Sequence, residues 1–164
     1  MANDQAKVAQ LRGILEERLA LMPLVARYKW HHSIPVEDLE REARIQSSTV
    51  DQAKQLGIKE NRASQLVAAQ MTAAKMIQNR LLATWQQSEY NQATLPPLQD
   101  LSKDIRPVIS RLTADLLTVS KAVEGVLNQC EAHLNLQTNR MTSVTDKEWK
   151  VAVAGLKPNG LVCE

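Results

Sequence analysis

The sequence contains no phenylalanine, and it has only five glycines and six prolines among 164 residues. No stretch alternates for long between apolar and polar residues, as a half-buried β-strand would. Residues that favour helices, namely Ala, Leu, Gln, Glu, Lys and Arg, are abundant instead. These features predict an all-α fold: a single-domain bundle of about five to six helices spanning residues 1–164.

The sequence also lacks a long apolar run, and no segment approaches the length of a membrane span. Its N-terminal segment, Met1 to Lys7, is polar and has no apolar region typical of a signal peptide. If the natural protein is exported, we expect that its signal has been removed and that Met1 stands in its place. The net charge is +2 and the charges are interspersed, so electrostatics indicate neither a nucleic acid nor a membrane as a partner.

Histidines are few, and their positions do not predict a metal site. His31 and His32 are adjacent, and neighbours on a helix point about 100° apart, so they cannot easily share a metal ion. The third histidine is His133. We interpret His31 and His32 as the end of a helix, where a cationic side chain complements the dipole.

The two cysteines, Cys130 and Cys163, permit two interpretations. They can be buried reduced thiols, or they can form a disulfide that ties down the C-terminal tail, in which Lys157-Pro-Asn-Gly160 precedes Cys163. A disulfide here would contribute about 3–4 kcal/mol in the chain-entropy model and would imply an oxidising compartment. The residues themselves leave both interpretations open.

The first predicted helix runs from about Asp4 to His31, and Pro23 should kink it because proline cannot donate a hydrogen bond to Leu19. One seam of this helix steps by three and four residues. Its members are Leu11, Leu15, Arg18, Met22, Val25 and Lys29. Arg18 and Lys29 therefore lie on the apolar stripe, about 16 Å apart along the axis. Either these long cations reach out of the core to solvent, or they hold a ligand.

Prolines and glycines divide the rest of the chain. Further helices are expected over Pro35–Leu56, over Lys59–Tyr90, from Leu101 or Pro107 to Leu136, and from the capping box Thr145-x-x-Glu148 to Leu156. Pro35, Glu37 and Asp38 are expected in the first turn of the second helix, with Gly57 just past its end. The clearest linker is Asn91 to Asp100, which separates a core of residues 1–92 from a C-terminal half of residues 98–164.

Several polar residues stand where the predicted helices face inward or begin. Asp38, Arg41 and Glu42 share a helix face, and Gln78 is one turn beyond Ala74. The whole set is Arg18, Lys29, Asp38, Arg41, Glu42, Gln78 and Arg106. Such a set suits a small dianion, because arginine forks bind carboxylates and lysine supplies a point charge. No nucleophile accompanies it, so catalysis would have to act by positioning and electrostatics.

Arg18, Lys29 eleven residues later, the segment Pro35-Val-Glu-Asp-Leu-Glu-Arg-Glu42 and then Gln78 together resemble the all-helical chorismate mutases. The resemblance extends from about Gln10 to Cys163. Arg-Tyr-Lys29-Trp, the proline-rich linker, the long C-terminal half and the cysteine pair are similar to the secreted gamma subclass. In that subclass the C-terminal half supplies an arginine that shorter relatives take from a second subunit, and Arg106 is the best match.

The resemblance implies a cofactor-free pericyclic rearrangement of chorismate to prephenate, with no covalent intermediate. It implies that Arg18 and Arg106 grip the two carboxylates, and that Lys29 and Gln78 meet the ether oxygen whose bond breaks. By the same resemblance Glu42 accepts from the ring hydroxyl, while Asp38 and Arg41 line the pocket. It further implies a Cys130–Cys163 disulfide, a periplasmic or secreted location, and a homodimer with a complete site in each chain.

Three positions depart from the pattern of the family. Gln78 stands where some secreted relatives have Glu, Ala74 where relatives have Thr or Ser, and Ile45 where some carry a polar contact. A glutamine donates a hydrogen bond at any pH, whereas a glutamate must first be protonated. Two other functions remain open: an isochorismate-pyruvate lyase on the same fold, and a helical binding module without catalysis.

Overall fold

The computed structural model describes residues 2–87 and 97–163. Its helices are α1 Ala2–Ala20, α2 Met22–His31, α3 Leu39–Gln55, α4 Glu60–Gln87, α5 Arg106–Ala122, α6 Cys130–Leu136 and α7 Asp146–Ala154. A π-helical turn, Leu101–Ile105, precedes α5, and a 3-10 turn, Val126–Asn128, precedes α6. These two ranges contain no strand, and the all-α prediction is confirmed. None of the helices in them is long and apolar enough to cross a membrane.

The predicted first helix is divided in two by a turn at Leu21. Leu21 N–H donates to Arg18 O at 3.2 Å, and Leu24 and Val25 both donate to Leu21 O. Pro23 is near the start of α2, where its missing N–H costs little. The break therefore comes two residues before the proline, because the proline ring excludes a regular helical turn on its N-terminal side.

The prediction that α3 begins at Pro35 was wrong. Asp38 is the N-cap residue: its φ of −140° is not helical and its carboxylate accepts from Arg41 N–H. Pro35 and Glu37 consequently lie in the connection before the helix. The predicted end was right, because Gly57 follows it with a φ of +85°, a conformation that favours glycine.

The prediction of one long helix as far as Leu136 was also wrong. Helix α5 ends at Ala122, and α6 starts only at Cys130. Gly125 lies in the connection between the two helices. Glycine has a low helix propensity, and the interruption rotates the following residues away from the earlier stripe. Leu134, which the stripe predicted to be buried, is accordingly 43% exposed. The predicted Tyr90 end of α4 and residues 91–96 of the predicted linker lie outside the described ranges.

The core draws side chains from both halves of the chain. Helix α1 packs on α5, α2 and α3 pack on α4, and α7 packs on α4. Helices α7 and α4 approach closely: a Cβ added at Gly155, the C-cap of α7, would stand 2.5 Å from the Cβ of Ala69 on α4. The Thr145–Glu148 capping box opens α7 as predicted, and the buried Trp149 donates to Leu136 O at 2.7 Å.

The two cysteines are bonded to each other, which decides between the two interpretations of the pair. The Cys130–Cys163 disulfide joins the first residue of α6 to the C-terminal tail. The two cysteines are 33 residues apart in the sequence.

Candidate active site

A cavity of about 490 Å³ is lined by residues of α1, α2, α3, α4 and α5. All of the residues predicted from sequence line it: Arg18, Lys29, Asp38, Arg41, Glu42, Gln78 and Arg106. A volume of this size is in the range of sites for small molecules.

The cavity is strongly positive. Its described lining includes the cations Arg18, Lys29, Arg41, Arg44, Lys75 and Arg106, but only the carboxylates Asp38 and Glu42. A cleft with an excess of one charge concentrates ions of the other sign. The arrangement therefore favours a compact ligand that carries more than one negative charge.

Arg18 is the most enclosed of these cations, with 9% of its surface exposed. Its Nε donates to Thr113 Oγ1 at 3.1 Å, while Nη1 is buried and has no hydrogen-bond partner. Burial lowers the pKa of Arg18 to about 10, so its charge persists at neutral pH. A buried guanidinium with an unused donor is suited to an anionic ligand, which would supply both the missing acceptor and the missing charge.

Lys29 projects from α2 into the same cavity and is half-buried. Its Nζ donates to Val36 O at 3.0 Å, in the connection before α3. Burial lowers the pKa of Lys29, and the positive charges of Arg106 and Arg41 act in the same direction. A ligand anion would relieve that repulsion.

Arg106 is the first residue of α5, directly after the π-helical turn. That turn is held by Asp100, whose carboxylate accepts from Lys103 N–H at 2.7 Å. Burial lowers the pKa of Arg106, and the charge of Arg41 lowers it further. Local capping thus places one arginine of the second half of the chain against the cations of the first half.

Asp38 and Glu42 serve the local structure of α3 as well as the cavity. Asp38 is exposed and is the N-cap residue of α3, where its carboxylate accepts from Arg41 N–H at 3.1 Å. Glu42 Oε2 accepts from Asp38 N–H at 3.0 Å, and Glu42 Oε1 pairs with Lys75 Nζ at 2.8 Å. Burial alone raises the pKa of Glu42, but the hydrogen bonds from Lys75 and Asp38 outweigh it and hold the pKa below its usual value. Each carboxylate oxygen retains a further lone pair for a ligand hydroxyl.

Gln78 is 5% exposed and lies on α4. Its Nε2 contacts Met22 Sδ at 3.7 Å, and its Oε1 has no partner. Rotation of the terminal amide by half a turn exchanges these two atoms and would direct the donor to the other side. Ala74 and Ile45 line the same cavity without adding a polar atom.

Comparison with known proteins connects this geometry to a family. The chain is 35% identical, over 128 residues, to a monofunctional chorismate mutase of Enterobacter agglomerans, covering 77% of this chain and 68% of that protein. It is 27% identical over 148 residues to a secreted chorismate mutase of Yersinia pestis, covering 90% of this chain and 79% of that protein.

The chain belongs to the type II chorismate mutase family.

The family profile, chorismate mutase type II, matches residues 9–79. The crystal structure of a chorismate mutase from Burkholderia phymatum superimposes with a TM-score of 0.83 at 25% identity, covering 97% of this chain and all of that one (100%). The profile match includes each of the seven predicted cavity residues except Arg106, which lies beyond residue 79. The family resemblance inferred from the residues is thus confirmed.

Lys75 and Thr113 line the cavity and bind predicted site residues, although the sequence did not single them out. Lys75 follows Ala74 directly and binds Glu42. Thr113 lies seven residues after Arg106, two turns along α5, and accepts from Arg18. The i, i+7 spacing from Arg106 was a usable signal for Thr113, whereas the partner of Lys75 depends on how α3 and α4 pack. Within the described ranges no group of three His, Cys, Asp or Glu side chains could hold a metal ion.

Proposed function

We propose that this protein catalyses the rearrangement of chorismate to prephenate, with the seven predicted residues as its substrate-binding and catalytic set. The observation that carries the proposal is the buried Arg18 guanidinium. It lines one cavity together with Lys29 and Arg106, and its Nη1 has no hydrogen-bond partner. Chorismate bears two carboxylates, and two arginines and a lysine that line one cavity suit that charge.

The reaction requires no nucleophile, since a carbon–carbon bond forms as the carbon–oxygen bond of the ether breaks within one molecule. Negative charge builds on the ether oxygen in the transition state. Lys29, half-buried and charged, would donate to that oxygen from one side, and the Gln78 amide from the other. Donors that are already in position stabilise the transition state more than the ground state, and this difference lowers the barrier.

The remaining residues would hold the substrate in its reactive, folded shape. Arg18 and Arg106 would bind one carboxylate each, and Glu42 would accept from the ring hydroxyl, with Arg41 and Asp38 ordering the wall beside it. Binding both carboxylates of chorismate would hold the two reacting carbons close together. The substrate would then already be in its reactive conformation, which lowers the entropy cost of reaching the transition state.

The test is to mix the purified protein with chorismate and to follow substrate loss together with prephenate and pyruvate formation. We expect prephenate, and we expect a Lys29→Met variant to be folded but at least about 100-fold slower. Pyruvate release would favour an isochorismate-pyruvate lyase instead, to be checked with isochorismate. Binding of chorismate without turnover would favour a binding module.

We also propose export to an oxidising compartment such as the periplasm. One relative is named as secreted, and the Cys130–Cys163 bond is of the kind that persists outside the cytosol. Thiol titration of the denatured protein, purified from its natural compartment, should find no free thiol. Two free thiols would contradict the proposal.

The remaining proposal concerns assembly: residues 1–92 and 98–164 form one catalytic domain, and a homodimer carries a complete site in each chain. Support comes from Arg106, which lines the same cavity as Lys29 within one chain. Sedimentation should give twice the chain mass. Mixing Arg106→Ala with Lys29→Met protein should not restore activity, whereas a site shared between chains would regain part of it.

A further inference from the structure

We infer that Thr113 is a positioning residue for substrate binding: it occupies the Nε–H of Arg18 and leaves the Nη1/Nη2 end of the guanidinium to hold a substrate carboxylate. The inference rests on the proposed function and assigns a role to a residue outside the set predicted from sequence. It also specifies which edge of Arg18 the substrate meets.

The Thr113 hydroxyl has a defined orientation. A hydroxyl has one proton to give, and Thr113 Oγ1 is 2.8 Å from Ile109 O, one turn back on the same helix. With the proton directed to that carbonyl, the lone pairs of Oγ1 are free to accept from Arg18 Nε at 3.1 Å. The backbone of α5 therefore sets the orientation of the hydroxyl, and the hydroxyl holds the guanidinium.

The geometry of arginine then limits how Arg18 can bind a carboxylate. A guanidinium offers two bidentate edges, one formed by Nε and an Nη group and the other by the two Nη groups. Thr113 already uses Nε, so the first edge is incomplete. Nη1 has no partner in the described structure. The end of the fork is consequently the edge available for a bidentate carboxylate.

Because the Arg18 guanidinium is buried, a fixed hydrogen-bond acceptor limits the orientations that it can adopt. Arg18 is 9% exposed, and the residues that accompany it in the cavity wall around Thr113 include the apolar Ile109, Leu116 and Leu117. In such surroundings a guanidinium without a fixed acceptor would sample other orientations, each with unsatisfied donors. The hydroxyl restricts that sampling before the ligand arrives, which reduces the ordering required on binding.

The kinetic test compares Thr113→Val, which removes the hydroxyl at similar shape, with Thr113→Ser, which keeps it. We expect Thr113→Val to raise KM for chorismate about 10-fold, because a hydrogen bond to a charged group is lost, with kcat changed less than about threefold. Thr113→Ser should restore KM to within about threefold of wild type. Equal effects of the two variants, or no effect of Thr113→Val, would overturn the inference.

The orientation of Arg18 can be read by NMR without turnover. The Nε–H resonance of Arg18, assigned by its disappearance in Arg18→Lys, should exchange slowly with solvent both alone and with saturating prephenate. In Thr113→Val its exchange should be at least about tenfold faster. Loss of the hydrogen-bonded signal when prephenate binds would show that the carboxylate displaces Thr113. The inference that the carboxylate binds the Nη1/Nη2 end of Arg18 would then be wrong.

The two measurements separate this inference from the proposed function. A wild-type protein that forms no prephenate would overturn the function and, with it, the substrate role of Thr113. Active wild-type protein with a Thr113→Val variant of unchanged KM would overturn only the role of Thr113.

Discussion

Helix α1 carries two buried arginines, and they have opposite surroundings. Arg12, 6% exposed, donates to Thr138 O at 2.8 Å and to Asn135 O at 2.6 Å, and its guanidinium lies 5.0 Å from the ring centroid of Trp149. Arg18 is enclosed to a similar degree, but it has one side-chain acceptor and an Nη1 with no partner.

The difference shows what burial by itself does not reveal. Arg12 satisfies carbonyls at the C-terminal end of α6, where a cation also complements the helix dipole, so it serves the fold. Arg18 leaves part of its hydrogen-bonding capacity unused at the wall of a cavity that already repels cations. A protein retains such an uncompensated charge at a cost in stability, which is typical of a site prepared for a ligand.

The largest expected effect is on activity, from Arg18→Lys. Lysine keeps the charge but loses the planar fork, so kcat/KM for chorismate should fall roughly 10²–10³-fold. The free energy of unfolding should change by less than about 1 kcal/mol, since only one hydrogen bond within the protein is removed. Steady-state kinetics and urea denaturation measure the two quantities. A loss below tenfold would mean that Arg18 is structural like Arg12.

Arg12→Leu should have the reverse profile. Its removal leaves two carbonyls at the end of α6 without a donor, and we expect the free energy of unfolding to fall by about 2–4 kcal/mol. At a temperature where the variant is folded, kcat/KM should remain within about twofold of wild type. Reduced kcat/KM in fully folded Arg12→Leu protein would remove the distinction between the two arginines.

Gln78→Glu tests whether the side chain at position 78 has to donate a hydrogen bond to the substrate. The wild-type amide donates at every pH, so activity should stay level above neutrality until Lys29 loses its proton. That loss begins below the usual lysine range, because burial lowers the pKa of Lys29. The variant should instead lose about tenfold in kcat/KM per pH unit above the pKa of its new carboxyl. Identical pH profiles for the two proteins would rule out a donor role for Gln78.

The smallest effect is expected from Lys75→Met, with Lys75→Arg as the control that keeps the ion pair. The pair with Glu42 is partly exposed, so kcat/KM should fall only about threefold. Glu42 has a pKa held below its usual value, and activity that needs its carboxylate is lost as pH falls through that pKa. Removing Lys75 raises the pKa, so the acid limb of the pH profile should move to higher pH. If the acid limb of the pH profile is at the same pH in Lys75→Met as in the wild type, then Lys75 does not lower the pKa of Glu42 or activity does not depend on the Glu42 carboxylate.

Short-range rules predicted much of the helical framework. The α7 capping box, the glycine after α3 and the seam through Arg18 and Lys29 all depend on spacings of a few residues, and the structure confirms them. The errors at Asp38 and at residues 123–129 are of another kind. There two local signals compete: Pro35 and Asp38 both suit a helix start, and the apolar stripe continues across Gly125.

By itself the sequence determined the all-α class and the face on which Arg18 and Lys29 lie, because helical periodicity follows from the geometry of the backbone. The family resemblance supplied the other site positions. Only the tertiary structure decided that Thr113 holds Arg18, that Lys75 holds Glu42, and that Arg12 donates to two backbone carbonyls while Arg18 Nη1 has no partner. These are contacts between helices far apart in the chain: Arg18 and Thr113 are separated by 95 residues, and Arg12 and Thr138 by 126. Such contacts depend on how the cores of the helices interlock, which no local pattern specifies.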